Sequence, residues 1–162
     1  MKHLIVNLMS PWSIQNGRAI APVVMMVEGV ACGSHGCLYW PSAVLQQNAL
    51  KWLNIPVTPG HPVKDGKLVS VNYDAGTRAT IVGNVKRPYY DAPVWALKAE
   101  IEIESNHPLL PIIQDAREVS IGVFSEENDN AGNFGGEQFE GTVTFFNASI
   151  VNSYSRYSTC KC

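Results

Sequence analysis

Two stretches carry side chains that could do chemistry together. Ser120 sits alone in the apolar run Arg117-Glu118-Val119-Ser120-Ile121-Gly122-Val123. Taken by itself, such a run reads as a buried strand with one small polar residue. A serine hydroxyl becomes nucleophilic at neutral pH only beside a base. The chain has four histidines: His3, His35, His61 and His107. His61 follows Pro59-Gly60 and precedes Pro62, so its neighbours stiffen its backbone. A fixed imidazole suits a general base, because geometry is the first requirement of proton transfer; local sequence fits a turn-capping histidine equally well. His3 and His107 read as surface or cap residues. No Gly-x-Ser-x-Gly elbow is present.

The four cysteines fall in two pairs, Cys32 with Cys37 and Cys160 with Cys162, and His35 lies inside the first. Four thiolates could hold zinc, but the spacings are not the usual Cys-x2-Cys knuckles. Reduced free thiols are the expectation, since nothing at the start of the chain reads as a secretion signal. The opening Met1-Lys2-His3-Leu4-Ile5-Val6 has a short apolar part that Asn7 interrupts, and Pro11-Trp12 follows where small residues would mark a cleavage site. A first strand is the better reading.

The elements around these residues are mostly short strands. Ala21–Ala31 reads as a strand or strand pair, followed by the glycine-punctuated loop Cys32–Cys37. Ala43–Leu53 has helical spacing of apolar residues, with Pro41 or Ser42 as its start. Three prolines between Asn54 and Pro62 exclude helix and predict an extended or turned segment. Lys64-Asp65-Gly66-Lys67 is a turn, Thr80–Val85 a strand, and Val94–Glu104 alternates at its end as a half-buried strand does. His107–Ala116 predicts a short helix, Glu118–Ser125 a strand, Glu126–Gly136 a mobile surface loop, and Phe139–Val151 one or two strands. These elements do not alternate as βαβ units. The fold class expected is mainly β (α+β), with an antiparallel sheet or barrel and a few short helices in a single domain over 1–162.

With 162 residues and 46% hydrophobic content the chain can bury a core. Only 16% of residues are charged and the formal net charge is −2, so there is no electrostatic footprint for nucleic acid. No run of eighteen apolar residues is present, and no membrane span is expected. No heptad or obvious patch encodes an oligomer, and self-association is left open.

In order, Gly60-His61-Pro62, Gly83, Leu97-Lys98-Ala99-Glu100-Ile101 and Glu118-Val119-Ser120-Ile121-Gly122 resemble the prohead (capsid maturation) proteases of tailed bacteriophages, which are related in fold to the herpesvirus assemblins. Val27-Glu28-Gly29-Val30, Leu38-Tyr39-Trp40-Pro41 and Trp52–Val57 resemble one phage branch of the same group, so the likeness spans residues 22–156.

The resemblance implies an assemblin-like antiparallel β-barrel surrounded by a few short helices. It implies a serine endopeptidase that cleaves scaffold and major capsid proteins inside the assembling prohead, in the bacterial host cytoplasm and without a cofactor. Ser120 would be the nucleophile and His61 the base. The third position, usually glutamate, falls on Asn147 in Asn147-Ala148-Ser149-Ile150-Val151. An asparagine carbonyl can orient an imidazole but does not offset its positive charge, and the corresponding aspartate-to-asparagine exchange in a serine protease costs about 10⁴-fold in rate. Glu118, Asp65 and Asp74 are the carboxylates that could take that role instead. Arg156 corresponds to the assemblin arginine that supports the oxyanion hole, whose donors are backbone N–H groups and water. Asn147 also fits a second reading, a non-catalytic virion or assembly protein on the same fold, with the 126–136 loop as a subunit contact.

Overall fold

The computed structural model describes residues 2–7, 11–33, 36–59, 63–65, 67–68, 81–115 and 118–154. Its strands are β1 (Lys2–Asn7), β2 (Ser13–Gln15), β3 (Arg18–Val27), β4 (Gly29–Gly33), β5 (Gly36–Trp40), β6 (Pro56–Pro59), β7 (Val63–Lys64), β8 (Lys67–Leu68), β9 (Gly83–Asp91), β10 (Ala96–Glu104), β11 (Glu118–Asn128), β12 (Gly132–Phe134), β13 (Glu137–Phe139) and β14 (Gly141–Tyr154). Two short helices, α1 (Ser42–Gln47) and α2 (Leu110–Asp115), accompany them.

Ten strands form one sheet along the path β1-β11-β14-β6-β9-β10-β3-β2, with β5 also on β14 and β4 on β5. This corrects the expected antiparallel barrel. The described strands do not close, and the sheet is mixed, because β14 runs parallel to both β5 and β6. The reason lies in β14 itself. Its fourteen residues outrun any one partner, so its start pairs with β5, its end with β6, and its other edge with β11.

Alternation builds the core. In β3, Ala19, Ala21, Val23 and Met25 point inward, and in β10 Leu97, Ala99, Ile101 and Ile103 do so. Gly83 allows β9 to lie close against β10, since a Cβ there would collide with the Glu102 carbonyl. Trp40, Trp52 and Phe146 fill the centre, with ring centroids 5.9 and 6.2 Å from Phe146 to the two indoles. A bulge in β9 puts Arg87 in the left-handed region (φ 50°), next to Pro88.

Three further expectations change. The predicted 43–53 helix breaks at Asn48, whose carboxamide donates to the Val44 carbonyl at 2.7 Å, and a 3-10 turn over Ala49–Trp52 follows. The helix predicted from His107 begins only at Leu110. The segment 126–136 is not a plain loop: β11 continues to Asn128, and β12 and β13 form a hairpin. Phe139 of that hairpin stacks on Tyr39 and Phe134 packs tilted against it, at 5.0 Å each, which supplies the apolar anchor that polar composition concealed.

Candidate functional site

β11 is buried on both faces from Glu118 to Val123. Val119, Ile121 and Val123 join the hydrophobic core, so Glu118, Ser120 and Gly122 occupy the opposite face. Ser120 lies directly across from Asn152 of β14, and Asn152 lies in register with Thr58 of β6. Val57 and Val151, next to these two, belong to the core, so Thr58, Asn152 and Ser120 form a lateral polar row on the far face of three adjacent strands. All three are sealed from solvent: Thr58 is 1%, Asn152 0% and Ser120 1% exposed. Thr58 Oγ1 donates to Asn152 Oδ1 at 2.6 Å. Glu118, also buried, sits on the same face about 7 Å along β11 from Ser120.

The Ser120 hydroxyl has no hydrogen-bond partner among the described residues. A buried, unsatisfied hydroxyl costs about 1–3 kcal/mol. The indole nitrogens of Trp12 and Trp52 are likewise unpartnered. Those two are donors on large apolar rings, whereas Ser120 stands in a row of polar side chains.

The expected site residues divide into three groups. Ser120 and Glu118 are brought together on one face. Asn147 is on the same face of the sheet but opposite Phe124, at an exposed position four residues from Ser120 along β11. That offset is about 13 Å by strand rise. Asn147 is thus set apart from Ser120 along the ladder. Asp65 is exposed in the turn between β7 and β8. His61, Asp74 and Arg156 lie outside the described residues; His61 follows the end of β6 by two positions in sequence. Sequence reasoning missed Thr58 and Asn152. The one signal available was a polar residue closing the apolar pair Ile150-Val151.

The cysteine expectation is corrected. Cys32 and Cys37 are directly opposed in the β4–β5 hairpin, with Cα atoms 4.0 Å apart, and they form a disulfide. They are therefore neither free thiols nor two ligands of a four-thiolate zinc site; Cys160, Cys162 and His35 lie outside the described residues. Among the described residues no group of three or more His, Cys, Asp or Glu side chains is placed to hold a metal ion. No helix among them is long and apolar enough to cross a membrane.

Elsewhere, an open cavity of about 420 Å³ is lined by Arg18, Arg87, Glu100 and Glu102 among others. None of the expected site residues among the described ones lines it. Arg87 is bonded to Glu100 at 2.6 Å and Glu102 at 3.1 Å, and Arg18 approaches Glu102 at 3.8 Å. The hydrogen bond to Glu100 raises the Arg87 pKa further, so these charges are already paired. His107 is a cap, its Nδ1 accepting from the Leu109 N–H at 3.1 Å.

No family model, curated protein or solved structure matches the chain.

Proposed function

We propose that the chain is a serine endopeptidase of the prohead maturation type, acting on scaffold and major capsid proteins inside the assembling capsid of a tailed phage. The observation that carries this reading is the Ser120 hydroxyl, which is buried and unbonded among the described residues. Asn152 of β14 lies directly across from it, with Thr58 of β6 next in the row. A hydroxyl held without a partner remains available to a base and a substrate carbonyl. In the proposed reaction His61 takes the Ser120 proton as Oγ adds to the scissile carbonyl. The amine leaves with that proton, and water activated by His61 then releases the acyl group.

A specific observation favours a second reading, a non-catalytic assembly protein on the same fold. Ser120 is 1% exposed, so no substrate reaches it in this conformation. Treatment of the full chain with a fluorophosphonate probe separates the two. The protease reading expects labelling at Ser120 that vanishes in Ser120→Ala, while the circular dichroism spectrum is unchanged. Absence of labelling in the unsubstituted protein, or labelling that survives the substitution, favours the structural role.

A further inference from the structure

We infer that β1 is a detachable cover beside Ser120 and that an extended peptide, apolar at every second residue, takes its place as the strand next to β11. The peptide's role as substrate rests on the protease reading above; the release of β1 does not. Ser120 has two flanks. On one side lies Asn152 of β14, a strand held between β11 and β6. On the other lies Ile5 of β1, directly opposite Ser120 in the ladder that runs from Lys2 and Val123 to Asn7 and Glu118. Among the described residues β1 has no other ladder; β3 comes near it, yet no hydrogen-bonded pairing joins the two. Moving β14 aside would split the sheet in its middle, whereas β1 leaves at the cost of one six-residue edge ladder. Edge elements of this kind open locally, below the free energy of global unfolding.

Release leaves β11 with a row of unpaired N–H and C=O groups, which is the template for strand addition. The existing ladder supplies the register. A peptide running antiparallel to β11 puts one residue across from Ser120, its backbone about 5 Å away, and the two neighbours of that residue across from Val119 and Ile121. Val119 and Ile121 belong to the core, and residues paired across a ladder share a face. Both neighbours are therefore apolar, while the residue between them lies on the face of the polar row. The same opening gives a hydroxyl that is 1% exposed a route to its substrate.

Alkylation of the full chain by iodoacetamide tests the release without relying on catalysis. In Ser120→Cys, labelling at position 120, located by peptide mass mapping, reads the opening. Adding Leu4→Asp, a charge across from the core residue Ile121, should speed that labelling about 5–30-fold. A cysteine placed by Ala99→Cys, buried in β10, should keep its rate under Leu4→Asp. A synthetic peptide of residues 2–7 should slow labelling at position 120 again, and the same peptide with Asp at positions 4 and 6 should not. A rate at 120 that Leu4→Asp leaves unchanged, or that rises equally at 99, overturns the release. Failure of the peptide to protect overturns its docking; so does protection that grows with protein concentration instead, the mark of β1 from a second copy. Where a variant does not fold, amide exchange of the unsubstituted chain decides: β1 should exchange faster than β10, and equal rates overturn the release. Fluorophosphonate labelling of Ser120 should rise with Leu4→Asp by the same factor. Its absence with and without Leu4→Asp overturns the protease reading and the substrate role, and leaves the alkylation result standing.

Discussion

Ser120 and Asn152 are direct partners across the β11–β14 ladder, and both are sealed from solvent. Only one of them has its hydrogen bonding satisfied. Asn152 takes the Thr58 hydroxyl, whereas the Ser120 hydroxyl meets no partner among the described residues.

Ser120→Ala should therefore not destabilise the protein. Removing an unbonded buried hydroxyl relieves its desolvation cost and leaves a void of one oxygen atom. We expect a gain of up to about 1 kcal/mol, within the range for such groups, read as a higher urea midpoint at constant m-value. A loss beyond about 1 kcal/mol would mean that Oγ has a partner in solution.

Thr58→Val should behave in the opposite way. It leaves Asn152 Oδ1 without the Thr58 hydroxyl in a buried position and should cost about 1–3 kcal/mol. In a double-mutant cycle with Asn152→Ala the two losses should be non-additive by at least about 0.5 kcal/mol, as expected of residues in one network. Additive losses would mean the 2.6 Å bond contributes nothing.

Reducing the Cys32–Cys37 bond should weaken the fold modestly. The sequence separation is only five residues, so the closed ring is small, and chain entropy assigns it about 2 kcal/mol. Urea denaturation with and without dithiothreitol reads this difference. The intact-protein mass should fall on oxidation by the two hydrogens lost.

Glu28 ties β3 to α1 and makes stability depend on pH. Its carboxylate accepts from the Tyr39 hydroxyl at 2.7 Å and the Ser42 N–H at 2.9 Å. Burial alone would raise its pKa, but the hydrogen bonds from Ser42 and Tyr39 outweigh burial and hold it below the usual value. A depressed folded pKa contributes stability above the unfolded pKa and loses it as pH falls through the folded one. Glu28→Gln should thus be less stable than the parent at about pH 7 and indistinguishable at about pH 2. For Tyr39 the sign reverses. Burial first, then the bond to Glu28, pushes its pKa up to about 12, so its contribution holds below the ordinary tyrosine range and fades as pH rises toward that value. Ultraviolet titration of the phenolate should show a late-ionising tyrosine that Glu28→Gln shifts down.

The central packing is the most sensitive target of all. Phe146→Ala would empty the space between Trp40 and Trp52 and should cost about 3–5 kcal/mol, seen as a lower midpoint of thermal unfolding.

Local patterning made much of this architecture legible. Period-two alternation marked β10, the apolar run marked β11 around Ser120, and the prolines at 56 and 59 forced the extended conformation of β6. The failures share one physical origin. The Asn48 carboxamide competes with the backbone and breaks the predicted helix, a local effect that apolar spacing does not register. The Phe134 and Phe139 contacts with Tyr39, the Cys32–Cys37 bond and the parallel edge of β14 depend on which strands become neighbours. So does the site. Ser120 stood out by its own surroundings, but Thr58 and Asn152 belong to it only through register between segments far apart in sequence. Asn147 likewise takes its cross-strand partner, Phe124, from register alone.

The position of β14 also fixes when the site can exist. β11 and β6 have no pairing with each other; β14 lies between them and contributes Asn152. It follows both in sequence, so during synthesis Thr58 and Ser120 emerge well before the strand that aligns them. Such long-range pairing forms late, because loop closure must precede its contacts. A ribosome-bound chain lacking residues 141–154 thus carries the serine without its surroundings, and the row is incomplete until translation has passed Tyr154.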